Sequence, residues 1–513
     1  VELLPGFVDP LPPGARPGPG DDGAPPRYRD ALREVASLAG KLPRPRRSGR
    51  GIVYVGGGPY WPGVAVGVRL LRESGCTLPV EVWYRGECEA VYPEDVEGLG
   101  VRLVDLDAMQ RERGDARVPR GNAKTGGWEA KLYALTHTQW EQVLFLDADA
   151  YAVEDPTPIL DLICARRFAF WEDHAGAGRH INWRVVWPAG DSGVVPIQGG
   201  QLGLHVRDCW AELVTCHWIC QHSDWYFRYA FGDQDAWRIA FAATGGGHYR
   251  IGPTRWPHKA MVADLGGKPM IVHRITGKLF APEHLPEGGS DWVWPDHGLP
   301  LEGRVYDLLS EVLNRRGVTA GERFGAIYRR RIWGDGSGWG GNEEQARPYA
   351  DLVNALAAAA GWRSCVDLGC GDGRAAELLH VRDYTGVDCV AEVAAATRAR
   401  LGRRILALDA IADPDALPAA DVLLCRDVLH HWPSAEVRRF LAWLFASRKY
   451  AWALLTQDRH QAHDGADTYL GGYRPLDPGL APLNEFPRPN AVVTQAHKCA
   501  LLYDLRKPLG VVT

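Results

Sequence analysis

Cys365-Val-Asp367-Leu-Gly369-Cys-Gly371-Asp372-Gly373 reads as a short buried strand running into a glycine-rich turn, with a helical pattern following from about Arg374 to Leu379. Glycines permit a tight turn and let the backbone pass close to a ligand. The N-terminus of the next helix favours a carboxylate. Working outward, the strands that follow each lead to an acid. Tyr384-Thr-Gly-Val-Asp388 closes on Asp388, where a carboxylate can accept both hydroxyls of a ribose. Arg404-Ile-Leu-Ala-Leu408 leads to Asp409, placed to meet an adenine amino group. A fourth strand, Asp421-Val-Leu-Leu-Cys425, is followed by Arg426-Asp427-Val-Leu-His430-His431. Strands alternating with helices predict an α/β, Rossmann-like domain. Dinucleotide binding is the rival reading. It is disfavoured because the turn has the form Asp-x-Gly-x-Gly-x-Gly and not Gly-x-Gly-x-x-Gly.

Over residues 345–460 this ordered set resembles the class I S-adenosylmethionine-dependent methyltransferases. The resemblance implies S-adenosyl-L-methionine as cofactor, bound by Asp367, Gly369, Gly371, Asp372, Gly373, Asp388, Asp409 and Arg426. The later stretches Tyr469-Leu-Gly-Gly-Tyr473-Arg474-Pro475-Leu476 and Ala481 to Pro487 look like the segment that lies beside the substrate in small-molecule members. Arg474 is therefore expected as a substrate contact, with a surface salt bridge as its other reading. Methyl transfer to a hydroxyl gains from an aligned base. His430 and His431 are candidates because imidazole titrates near neutrality, and Asp427 and His460 are alternatives.

A separate strand–helix alternation precedes this one. Gly51-Ile-Val-Tyr-Val55 is an apolar strand followed by Gly56-Gly57-Gly58, and Pro62 to Ser74 has a helical pattern. Further strands are read at 79–84, 101–105 and 142–146, with a helix at 131–140. A mostly parallel sheet covered on both faces is expected. Val143-Leu-Phe-Leu-Asp147-Ala-Asp149 puts two carboxylates at a strand end, where their spacing directs both toward one cation. Such crevices hold ligands in open α/β folds. A departing diphosphate needs charge neutralisation, which Mn²⁺ or Mg²⁺ on oxygen ligands provides.

Gly126-Gly-Trp128-Glu-Ala-Lys131, the acid pair, Asp155-Pro156 and Ala169-Phe-Trp171-Glu-Asp173 together resemble the GT-A glycosyltransferases of the fungal-type α-mannosyltransferase group, distant relatives of the retaining family that includes glycogenin and bacterial galactosyltransferases. The resemblance covers residues 50–280 and implies a nucleotide-diphospho-sugar donor, GDP- or UDP-linked. It assigns Asp147, Asp149 and His273 to the metal, Lys278 to the diphosphate and Lys131 to the donor. It also places Asp233, Gln234 and Asp235 against the transferred sugar, although both acids are compatible with N-capping the helix near Ala236. One departure is visible: the relatives' contiguous Glu-Ser/Thr-Gly-Gln element is split here into Asp191-Ser-Gly193 and the later Gln198 and Gln201. The loop Gly56-Gly57-Gly58 with Tyr60 is read as contacting the donor's nucleoside, through backbone amides that the glycines leave accessible.

A chain of 513 residues exceeds what one core usually serves. The expected order is a Pro/Gly-rich extension or arm (1–50), a GT-A domain (51–290), a linker with a connecting helix (291–345) and a methyltransferase domain (346–513). A net charge of -5, from 58 basic and 63 acidic residues, gives no reason to expect nucleic acid as a partner. Partners are a small-molecule or glycan acceptor, with homo-oligomerisation open. Eleven scattered cysteines read as buried free thiols, including Cys209, Cys216 and Cys220 on one helix face. No integral membrane segment and no basic-then-apolar leader are seen, so a cytoplasmic enzyme is expected. The functional expectation is a bifunctional enzyme that transfers a sugar and O-methylates sugar or acceptor. Its alternative is a methyltransferase carrying an inactive sugar-binding module.

Overall fold

The computed structural model describes residues 2–4, 7–8, 24–115, 118, 127–174, 180–187, 189–190, 193–257, 260–288, 298–458, 467–495 and 498–506. The chain forms two compact units, Val1–Leu279 with Gly298–Pro300, and Phe280–His297 with Leu301–Thr513.

In the first unit, β1 (Glu2–Leu4) and β2 (Phe7–Val8) form a small ribbon. The main sheet comprises β3 (Arg50–Val55), β4 (Val80–Tyr84), β5 (Val101–Asp105), β6 (Gln142–Asp147), β7 (Ala150–Ala152), β8 (Phe168–Glu172), β9 (Ile197–His205), β10 (Tyr249–Arg255), β11 (Met261–Leu265) and β12 (Lys268–His273). Their order is β5-β4-β3-β6-β9-β8-β10-β11-β12-β7. The apolar interiors of β3 and β6 are buried, as strands covered on both faces require. The sheet is less parallel than expected: pairing is parallel from β5 to β6, but β9 runs antiparallel to both β6 and β8. The reason is visible in the return of the chain. Gly266 and Gly267, at φ 61° and 81°, make a two-residue turn between β11 and β12. Positive φ at both positions matches the twist of a tight hairpin. This turn fixes the register in which His273 faces Ala150 of β7. A slip of one residue would turn His273 to the other face.

The arm is partly a helix, Ala24–Ala39. Tyr28, Leu32, Val35 and Ala39 recur at helical spacing and enter the core, with Tyr28 stacked on Trp225 at 4.3 Å.

The second unit holds β13 (Ser364–Leu368), β14 (Asp383–Asp388), β15 (Arg404–Ala407), β16 (Ala420–Arg426), β17 (Tyr450–Asp458), β18 (Ala491–Gln495) and β19 (Lys498–Asp504), ordered β15-β14-β13-β16-β17-β19-β18. Pairing is parallel up to β17, and β19 is antiparallel to both its neighbours. The stretch read as linker supplies two helices to this unit, Glu302–Asn314 and Ala320–Arg329. The second starts with a capping box: Thr319 accepts from the Glu322 amide, and the Glu322 carboxylate accepts from the Thr319 amide. Phe324 and Ile327 of that helix join Val366 and Leu368 in the core. Among the described residues, no helix is long and apolar enough to cross a membrane.

Candidate active sites

In the first unit, β6 delivers Asp147, the turn into β7 delivers Asp149, and the end of β12 brings His273 beside them. The Arg274 amide donates to the Asp149 carbonyl at 2.9 Å and locks the two segments together. The donor atoms of Asp147, Asp149 and His273 all lie within 4.8 Å of one another. His273 Nε2 is 3.1 Å from Asp149 Oδ1 and 3.8 Å from Asp147 Oδ2. Two carboxylates and an imidazole converging this closely are a donor set that fits Mn²⁺ or Mg²⁺.

Two lysines answer the acids. Lys131 Nζ is 2.8 Å from Asp147 and 3.4 Å from Asp233, and Lys278 pairs with Asp149. Burial works against the charge on Lys131, but Asp147 and Asp233 outweigh it and hold the ammonium above its usual range. Burial likewise opposes ionisation of Asp149, and His273 and Lys278 outweigh it and hold the carboxyl low. For Asp233 burial wins and the carboxyl is pushed up, despite Lys131. Lys278 also lies 5.6 Å from the Tyr60 ring.

The sugar-facing trio divides. Asp233 joins the cluster through Lys131, and Gln234 lies with it against Gly199 of β9. Asp235 points elsewhere: it accepts from the Phe231 amide at 2.8 Å and pairs with Arg238 at 3.3 Å. It is thus a cap for the helix Gly232–Thr244. The glycine loop also differs from expectation. The Gly56 and Gly58 amides donate to the Trp83 and Ala90 carbonyls at 2.9 and 2.7 Å, so they are not turned to a ligand. Gly56 is needed for close approach, since a Cβ there would meet that of Ala148 at 2.8 Å; Gly57 packs against Glu89. Gln198 bonds the Gly200 amide, while the Gln201 side chain is fully buried with no hydrogen-bond partner among the described residues. Asp191 and Ser192 lie outside the described residues.

In the second unit, a cavity of about 280 Å³ opens at the C-terminal ends of β13, β14, β16 and β17. Gly369, Gly371 and Gly373 take φ of 72°, 55° and 74°, conformations that a side chain would strain. Asp388 accepts from the Gly371 amide at 3.0 Å and from Val390 at 2.9 Å. Asp409 accepts from the Ile411 amide, and Asp372 exchanges hydrogen bonds with Ser337. Asp367 accepts from the Tyr384 hydroxyl at 2.7 Å. Burial pushes both Asp367 and Asp388 up to about 6. Arg426 lines the cavity, but its guanidinium holds the carbonyls of Gly340 and Gln345 and lies over Tyr349. Strand-end acids, the glycine turn and the apolar walls of Leu408 and Ala410 fit an adenosyl ligand.

His430 and His431 both line this cavity; Arg474 does not. The Arg474 guanidinium is buried against Asp467, Ser434 and the Trp432 carbonyl, which places it as a brace and not as a substrate contact. His460 lies outside the described residues. Asp427 takes a positive φ of 56° and pairs with Lys498. Lining residues that the sequence reading did not single out are Phe324, Tyr328, Trp333, Asp458 and Lys498. The signal for the first two was the Thr319-x-x-Glu322 box. For Asp458 it was a strand-end acid like Asp388.

Residues 49–163 match the family model described as "Mannosyltransferase putative", and residues 366–445 match the one described as "Methyltransferase domain". An α-1,2-mannosyltransferase, MNN24 of Candida albicans, is 33% identical over 110 residues, which is 21% of this chain and 15% of that protein. The chain therefore spans a small part of the length of the curated relative it matches. The crystal structure of the galactosyltransferase LgtC with donor and acceptor sugar analogues is 16% identical, covering 39% of this chain and 73% of that one, at a TM-score of 0.30. The methyltransferase domain of bacterial CtHen1 is 18% identical, covering 23% and 68%, at 0.20. The chain joins a mannosyltransferase-like domain to a methyltransferase domain. The first match contains Lys131, Asp147 and Asp149; the second contains the glycine turn, Asp388, Asp409 and both histidines.

Proposed function

We propose that the chain is a bifunctional transferase, adding a sugar from a nucleotide-diphospho-sugar to a glycan or small-molecule acceptor and O-methylating that sugar or acceptor. The observation that carries the first half is the convergence of Asp147, Asp149 and His273 from strands far apart in sequence. Bound there, a divalent cation would supply Lewis acidity toward the departing diphosphate. Lys278 and Lys131 stand next to that position and can turn from the acids to phosphate oxygens. Asp233 and Gln234, across β9 from the cluster, are the groups to orient the transferred sugar. In the second unit, S-adenosylmethionine supplies the methyl group when bound. Asp388 and Asp409 are placed to hold ribose and adenine, and the glycine turn lets the backbone come close.

The test is product mass analysis of the full chain with Mn²⁺, GDP-mannose or other nucleotide sugars, and S-adenosylmethionine. Asp147→Ala should abolish sugar incorporation and spare methylation, and Gly371→Val should do the reverse. Unchanged incorporation in Asp147→Ala would sink the first half. A second reading has an observation of its own. Lys131 and Lys278 already neutralise the acids, as in a sugar-binding module that has lost its cation. Calorimetric titration with Mn²⁺ separates the two, because only the transferase reading requires binding.

A further inference from the structure

The cavity of the second unit ends in a polar floor. Lys498 Nζ bridges Asp427 Oδ1 and Asp458 Oδ1, each at 2.7 Å, and the Tyr473 hydroxyl donates to Asp458 Oδ2 at 3.0 Å. Against this floor stands His430, only 2% exposed, with Nδ1 3.9 Å from Asp458 Oδ2. That nitrogen has no hydrogen-bond partner among the described residues.

The protons of the histidine pair follow from their partners. His431 Nδ1 lies 2.6 Å from the Gly472 carbonyl, which can only accept, so Nδ1 carries the proton. In a neutral ring its Nε2 is then bare. His430 Nε2 is 3.0 Å from that bare nitrogen and must be the donor. His430 Nδ1 is therefore a lone pair. The other neutral arrangement would set two lone pairs against each other at 3.0 Å. Burial, the largest influence on both rings, pushes them down to about 3, which keeps them neutral.

A lone pair and a carboxylate facing one cavity, with no proton between them, call for a hydrogen-bond donor. We infer that His430 Nδ1 receives the proton of a hydroxyl-bearing methyl acceptor seated against Asp458, and that His431 is a positioning residue that fixes the required tautomer; this rests on the methyltransferase reading above. A hydroxyl fits better than an amine. Asp458 would hold an amine in its protonated, non-nucleophilic form, and Lys498 on the same carboxylate repels a second cation. In the transfer, the acceptor oxygen bonds to the methyl carbon while the carbon–sulfur bond breaks and its electron pair stays on sulfur. The hydroxyl proton passes to His430 Nδ1, so the sulfonium charge reappears as imidazolium beside Asp458. An oxygen that carries both a proton and a forming methyl bond is far more acidic than an alcohol, so a weakly basic imidazole suffices.

The test uses the full chain labelled with ¹⁵N-histidine and saturated with S-adenosylhomocysteine. The His430 resonances are identified by their loss in His430→Gln, which keeps an N–H toward His431 and removes the Nδ1 lone pair. The expected result is a bare Nδ1 and a protonated Nε2 on His430 at neutral pH. A protonated Nδ1 would overturn the inference. In parallel, His430→Gln should keep S-adenosylhomocysteine affinity within about twofold and lower transfer to any hydroxyl acceptor the wild type uses by about 100-fold or more. Full transfer in that variant, or wild-type methylation of amino sugars in preference to hydroxyls, would also overturn it. Failure of the wild type to bind S-adenosylhomocysteine would instead sink the methyltransferase reading.

Discussion

Gly200→Ala tests the cation site without touching a ligand. Gly200 sits on β9 with its missing side chain toward His273, and an added Cβ would overlap Cε1 and Nδ1 of that ring. Carbon atoms settle at about 3.5–4.0 Å, so the imidazole must retreat by roughly 1 Å. That exceeds the tolerance of about 0.5 Å for a working constellation. Displacing a group that orients a ligand costs about 10–100-fold in metal affinity, equivalent to about 1.4–2.7 kcal/mol. Overpacking adds a separate stability cost of about 1–3 kcal/mol. Gly203→Ala separates the two effects. Its Cβ would stand 2.8 Å from Ile163 Cγ2 on the same strand and touch no cluster residue. Calorimetric titration with Mn²⁺ and thermal unfolding of both variants is the assay. Both should lose stability, and only Gly200→Ala should lose affinity. If Gly200→Ala bound Mn²⁺ as the wild type does while losing stability like Gly203→Ala, His273 would not be a ligand.

Three further outcomes are expected. Asp388, raised to about 6 by burial, must be ionised to accept two ribose hydroxyls. S-adenosylhomocysteine should therefore bind about tenfold more weakly at pH 5 than at pH 7, and Asp388→Asn should flatten that profile. The same shift acts on stability with a definite sign. The folded state holds the Asp388 proton more tightly than the unfolded one, so its contribution is full below about pH 4 and lost as pH rises through 6. Thermal unfolding should show Asp388→Asn gaining on the wild type across that window. Thr319→Ala removes the capping box and should cost about 1 kcal/mol in urea unfolding, while weakening S-adenosylhomocysteine binding because Phe324 and Tyr328 ride on that helix. Tyr384→Phe strips the buried Asp367 of its hydroxyl donor, at a cost of about 1–3 kcal/mol. The cost should be larger at pH 8 than at pH 5, since Asp367 ionises near 6.

What could be read in the sequence follows from what is local. The turn from Asp367 to Gly373, the acids at the ends of β14 and β6, and the apolar strands between them are short-range patterns, and they lie where strand–turn geometry puts them. His273 was found through resemblance, because nothing local says that β12 returns to pair with β7. Capping chemistry and function compete for the same residue types, so Asp235 could be distinguished from Asp233 only by seeing Phe231 and Lys131. The glycines after β3 were read for amide access when their use is close packing. Glycine and proline density hid the contribution of residues 320–341 to the cavity, although the capping box was written in the chain. Lys498 carried no signal: a single lysine opening a late strand becomes part of the floor only through the antiparallel pairing of β19 with β17.

That late return of β12 has a consequence for the birth of the protein. The acid pair and its histidine are separated by over a hundred residues, and the strand bearing the histidine is an inner neighbour of β7 in the finished sheet. A nascent chain emerging from the ribosome can lay down β3 to β6 from nearby segments. It cannot assemble the three-ligand cluster until residue 273 is free to fold back. Contacts this distant along the chain are closed late, since loop entropy must be overcome first. A cation that needs all three ligands would bind tightly only after that closure, and by binding the closed form alone it would hold it shut. Metal in the medium should therefore slow the reopening of the first unit more than it speeds its formation.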